Sequence, residues 1–152
     1  MKQSLRVKTR QFLEKHIDSY EDLVGVDLTM KQMADGKKLD SSRASENFRH
    51  YLNILNKKVY GNASKRFGKR LFVIPVIEVK NHRYHYHTIF KLPKWMGREE
   101  FCELAITCWQ KTYFGYREFY FKPIINERLV RYITKFKADK DELDWINLSL
   151  DF

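Results

Sequence analysis

Apolar positions recur at two different periods along this chain, and the places where the period changes mark out its elements. Phe48, Tyr51, Leu52, Leu55 and Val59 return at steps of three and four, one face of an amphipathic helix over about 45–60. Phe101, Leu104, Ala105, Cys108 and Trp109 repeat the pattern and predict a second helix. Residues 3–20 read as a basic helix, and a further helix begins near Asn126, a residue type that caps helix N-termini well. In that last helix Leu129, Val130, Ile133 and Phe136 form the apolar stripe, with Arg128, Tyr132 and Lys135 on the neighbouring polar side.

The strand signals lie between these helices. Leu23 to Met30 is β-branched and alternating, and predicts a buried strand. Residues 71–79 and 83–92 make the clearest hairpin, separated by the turn-like Lys80-Asn81-His82. A short aromatic strand over 116–121 is stopped by Pro123, and a last strand is expected at 145–150 after the acidic segment 139–144. Residues 35–42 are turn-rich, and the basic stretch between Lys57 and Arg70, around Gly61 and Gly68, reads as a mobile flap. Strands and helices in this order predict an α+β fold, an antiparallel central sheet with helices packed on it.

Composition narrows the choice of partner. The chain has 152 residues, 43% of them hydrophobic, which suits one domain and excludes a fused motor or helicase domain. Lys and Arg outnumber Asp and Glu 29 to 19, a net charge of +10 that points to an anionic partner, above all nucleic acid. Residues 1–76 hold 16 of the basic and 8 of the acidic side chains, so most of the excess lies in the first half. In the flap, Lys65 and Arg66 are candidate phosphate contacts, although a solvated charge run has the same composition. The longest apolar runs, such as Leu71 to Ile77, are far too short to span a bilayer, which argues against a membrane partner. The opening residues lack the apolar core of a secretory signal, so a reducing cytosol is expected. Cys102 and Cys108 agree, being about 240° apart on a helix and matching no zinc spacing.

Two places can do chemistry. In His85-Tyr86-His87 the two imidazoles are two apart on a strand, so both reach one face while Tyr86 points the other way. An even-numbered hairpin loop would place Glu78 on that same face, and a three-residue loop would turn it away. Two histidines and a carboxylate with open positions suit Mg2+ or Mn2+, while ordinary packing also accounts for His-Tyr-His. His82 is close enough to serve as a replacement ligand. In the last helix, Tyr132 beside Arg128 and Lys135 places a phenol among cations, where a phosphate would bind and the ionised nucleophile is favoured. A tyrosine packed at a helix boundary fits the same pattern.

Taken together, Val24-Gly25-Val26-Asp27-Leu28-Thr29, Glu78 with His85-Tyr86-His87, and Tyr132-Ile133-Thr134-Lys135 resemble, in order, the three motifs of the HUH endonucleases. The likeness is to the single-tyrosine initiators of rolling-circle replication and spans roughly residues 23–150, preceded by the basic helix within 1–20. Asp27 departs from the first motif, where threonine is commoner, and no chemistry is attached to it. The resemblance implies one nuclease domain over 1–152, built on a five-stranded antiparallel sheet of RRM-like topology. It implies Glu78, His85 and His87 as ligands of Mn2+ or Mg2+, Tyr132 as nucleophile, and Lys135 as its charge-balancing partner. Lys65, Arg66 and Arg128 would grip DNA. The implied partners are single-stranded origin DNA, a host helicase and a host polymerase in a prokaryotic cytoplasm, and a homo-oligomer is compatible. A transposase or relaxase of the same superfamily, or a non-catalytic RRM-like binding module, are the alternatives; Lys135 favours the initiator, by analogy.

Overall fold

The computed structural model describes residues 2–122, 126–133 and 141–150, with side chains from residue 7 onward except at 129, 132, 133 and 141. Helix α1 (Lys2–Lys15) ends five residues earlier than its sequence suggests, because His16 and Ile17 close three-residue turns onto Leu13 and Glu14. Strand β1 (Leu23–Met30) falls on the residues expected of it. The turn-rich stretch is a small hairpin, β2 (Met33–Ala34) and β3 (Lys37–Lys38), reversed through Asp35 at φ 48° and Gly36 at φ 75°. Helix α2 (Ser41–Tyr60) starts four residues before the expected position 45 because Asp40 caps it, accepting the Arg43 amide at 2.8 Å. The basic stretch after it is not an unbroken flap, since it carries the short helix α3 (Asn62–Arg66).

The remaining elements are β4 (Val73–Lys80), β5 (Arg83–Lys91), α4 (Arg98–Gln110), β6 (Gly115–Lys122), α5 (Glu127–Ile133) and β7 (Asp141–Leu143). Five strands form one antiparallel sheet in the order β6-β1-β5-β4-β7. With β5 between them, β1 and β4 run parallel, and α2 connects them; α4 likewise connects β5 to β6. This is the split β-α-β-β-α-β arrangement expected of an RRM-like core, with β7 added at the β4 edge.

The last strand corrects the sequence reading. Pairing with β4 is made by Asp141–Leu143, while 145–147 turn and Ser149 makes only an isolated bridge to Val73. The cause is Asp144. Its buried carboxylate accepts the Tyr86 hydroxyl at 2.8 Å, the Ser45 hydroxyl at 3.0 Å and the Asn147 amide at 2.8 Å, which draws the chain out of register toward α2.

The sheet has two unlike faces. Val24, Val26, Leu28, Tyr86 and Phe90 point to one, where Phe48, Tyr51, Leu55, Phe101, Ala105 and Trp109 of α2 and α4 cover them. The other face begins in the same apolar way, with Leu23, Ile74, Val76 and Ile89 beneath Leu13 of α1 and Val130 of α5. Further along, the same parity delivers Asp27, Thr29, Glu78, His85 and His87. Burying an apolar half fixes the strand register, and that register lines up the polar half.

Candidate metal centre

The hairpin between β4 and β5 decides whether the triad assembles. Asn81 and His82 both take left-handed backbone angles, φ 52° and 62°, so the loop has two residues and the strands pair Lys80 with Arg83 and Glu78 with His85. Glu78 therefore shares a face with both histidines. Its Oε2 lies 2.6 Å from His87 Nε2 and 3.2 Å from His85 Nε2, and the two rings meet edge to face with centroids 4.9 Å apart. One atom from each of the three residues falls within 4.8 Å of the others. Adjacent donors around an octahedral ion at about 2.1 Å are about 3 Å apart, so these spacings fit a small divalent cation. The side chains keep between 21 and 26% exposure, which leaves room for water or substrate oxygens to complete the coordination.

Asp27, given no role by the sequence, completes the arrangement. It sits opposite His87 across the β1–β5 pairing and accepts the His87 Nδ1 hydrogen at 2.9 Å. That bond selects the tautomer whose Nε2 faces Glu78, the way carboxylates orient metal-bound histidines. Lys122 Nζ is 3.4 Å from the other Asp27 oxygen and balances its charge. Asp27 has a faint signal in the sequence: a carboxylate inside an otherwise apolar strand, on the parity opposite to Val24, Val26 and Leu28.

The electrostatics follow from this geometry. Burial works against charge on His87, but the carboxylates of Asp27 and Glu78 outweigh it and hold the ring above its ordinary pKa. His85 is held below the ordinary value by burial and by the positive charge of His87, against the pull of Glu78. Burial alone would raise both acids, yet Asp27 is held low chiefly by His87 and Lys122, and Glu78 by His87 and His85. The carboxylates are thus favoured in their ionised form, and His85 in its neutral form, which has a ring nitrogen lone pair to offer. Such a donor set is ready for a cation.

A groove of about 320 Å3 runs from the triad over β1 and β6, lined by Asp27, Arg83, His85, His87, Tyr116 and Tyr120. The other expected site residues are distributed differently. His82 stays in the turn and outside the triad. Lys65 and Arg66 are exposed on α3, which leads into the end of β4 remote from Glu78, and so do not join the metal centre. Arg128 is exposed on α5, a helix whose Val130 packs on the triad's sheet face. Tyr132 belongs to α5, its side chain outside the described set, and Lys135 lies outside the described residues. Among the described residues no helix is long and apolar enough to cross a membrane. Compared with protein-family models, curated proteins and solved structures, the chain finds no match in any of the three.

Proposed function

We propose that the chain is a metal-dependent endonuclease and strand transferase for single-stranded DNA, of the kind that initiates rolling-circle replication. The observation that carries this reading is the convergence of Glu78, His85 and His87 beside an open groove, on the sheet face that α5 also covers. Mn2+ or Mg2+ bound there would withdraw charge from a scissile phosphate and fix it for in-line attack. Asp27 keeps His87 Nε2 aimed at that position, and Arg83 at the groove wall offers a cation to the neighbouring phosphate. The phenolate oxygen of Tyr132 attacks phosphorus, the bond from phosphorus to the 3′ oxygen breaks, and that oxygen takes up a proton to become a 3′ hydroxyl. The DNA 5′ phosphate remains on Tyr132, and attack by a 3′ hydroxyl reverses the step and reseals the strand. Lys135 stabilises the charge that develops on the phosphate, while Lys65, Arg66 and Arg128 hold the strand.

The binding-module alternative draws less support. Of the strand rings such an RRM-like platform would use, Tyr86 is fully buried between α2 and the sheet, stacked on Phe48, and Tyr84 packs against the same core, while Phe119 and Phe121 of β6 are exposed. A binding module also has no use for the triad. Incubation with pooled single-stranded oligonucleotides and Mn2+, followed by denaturing electrophoresis, tests the reading. A covalent protein–DNA species that disappears with chelator is expected; its absence with every oligonucleotide would contradict it.

A further inference from the structure

The opposite end of β4 carries a feature that the metal centre does not use. A cavity of about 360 Å3 opens there between α2 and the chain after β7, with Arg49, Asn56, Arg70, Ile146, Asn147 and Leu148 in its walls. Leu71, also in the wall, is seven residues from Glu78, about 23 Å along an extended chain, so the two places are separate. The neutral polar groups of the cavity are already engaged. Asn56 Oδ1 accepts the Leu71 amide at 2.7 Å, and Asn147 Nδ2 donates to the Ser45 carbonyl at 2.9 Å and to Asp144 at 2.8 Å. The two guanidiniums are not: among the described residues neither Arg49 nor Arg70 has a hydrogen bond or an ion pair. Asp144, an acid near the cavity, is buried and spent on Ser45, Tyr86 and Asn147, and Glu46, one turn before Arg49 on α2, makes no ion pair with that arginine among the described residues.

Two guanidiniums at one cavity, without a partner among the described residues, suit an anion. The surroundings say which kind. From Arg49 to Arg70 the sequence holds seven Lys and Arg and no Asp or Glu, and Phe67 stands 77% exposed among them. Across the cavity Ile146 is 77% and Trp145 58% exposed. Positive charge interleaved with bare rings and apolar surface is the chemistry of a single-strand nucleic-acid track, where phosphates meet cations and bases meet apolar faces. The volume lies within the range of small-ligand sites.

We propose that this cavity holds one nucleotide unit of a single-stranded nucleic acid, its phosphate on Arg49 and Arg70 and its base against Ile146 and Leu148, remote from the metal triad. This goes beyond the endonuclease reading and needs only that the chain holds nucleic acid; a protein that binds without ever cutting would satisfy it.

Fluorescence anisotropy with a labelled single-stranded oligonucleotide, read in chelator over a range of salt, tests it without any cleavage. Each phosphate contact contributes about 0.7 to the slope of log affinity against log salt. The double variant Arg49→Gln, Arg70→Gln releases the one phosphate that both guanidiniums hold, and should therefore bind more weakly, with a slope shallower by about 0.7. Arg49→Lys with Arg70→Lys should keep the slope, and the control pair Lys94→Gln, Lys111→Gln should leave it unchanged. Ile146→Ser, at an exposed position that does not endanger folding, should weaken binding with the slope intact. An unchanged slope in the double glutamine variant, an equal drop in the control pair, or a silent Ile146→Ser overturns the proposal. Binding of an acidic apolar peptide together with an unchanged slope would reassign the cavity to a protein partner.

Discussion

Asp27 offers the sharpest perturbation, because it touches no substrate and its effect must pass through His87. Asp27→Ala removes the acceptor of a charge-assisted hydrogen bond of 2.9 Å from the His87 ring, and Asp27→Asn replaces it with a neutral acceptor of the same shape. Removing a carboxylate behind a metal-bound histidine costs 10- to 100-fold in metal affinity, about 1.4 to 2.7 kcal/mol. Asparagine should sit near the tenfold end, since it still selects the tautomer, and alanine near the hundredfold end. A second effect opposes the first. Without Asp27 the ring loses its largest support for a proton, so protons compete less for Nε2 at low pH. The loss should therefore be greatest at pH 8 and smaller at pH 6. Release of Lys122 from its 3.4 Å partner adds an unbalanced positive charge and acts in the same direction as the loss. Mn2+ titration followed by electron paramagnetic resonance at both pH values measures all of this, with Glu78→Gln as the variant that removes a ligand. Affinities of both Asp27 variants within twofold of wild type at pH 8, while Glu78→Gln is severely impaired, would refute the orienting role.

Three further outcomes follow from particular contacts. Because His87 is held above its ordinary pKa of 6.5, wild-type Mn2+ affinity should fall about tenfold per pH unit below that raised pKa and level off above it; a flat profile from pH 5 to 8 would contradict the coupling. Tyr86→Phe leaves the buried Asp144 short of a donor at 2.8 Å and should cost about 1.5–3 kcal/mol, a drop of about 4–10 °C in Tm by calorimetry, with Mn2+ affinity unchanged because the hydroxyl lies on the other face. Gly115→Ala would drive a methyl into the Trp109 carbonyl and the Thr112 hydroxyl at the start of β6, and should lose about 3 kcal/mol; a Tm within 2 °C of wild type would show that the loop yields freely.

Local pattern carried most of the fold because most elements advertise themselves locally. The bounds of β1 and the apolar stripes of α2 and α4 are visible in the order of residues, and so is the parity that puts His85 and His87 on one face. Whether Glu78 joined them depended on one residue of loop length, which the left-handed backbone of Asn81 and His82 decides. Long-range pairing was harder to read. Asp27 reaches His87 only through the β1–β5 register, 60 residues apart, so nothing local marks it as a partner. The last strand was misplaced for the same reason, since Asp144 is drawn inward by Ser45 and Tyr86, each far away in sequence. The expectations for Tyr132 and Lys135 rest on the family resemblance and on their place in the sequence.

The claim that a tyrosine nucleophile works with this metal centre is tested most directly by mapping the covalent adduct. Wild-type protein is incubated with Mn2+ and a single-stranded oligonucleotide, digested, and its peptides sequenced by mass spectrometry. The account predicts a 5′-phosphate-linked nucleotide on Tyr132, absent from Tyr132→Phe and from samples with chelator, while Tyr132→Phe still folds and binds DNA. An adduct on Tyr116 or Tyr120 of the groove, or one that forms equally well without metal, would contradict it.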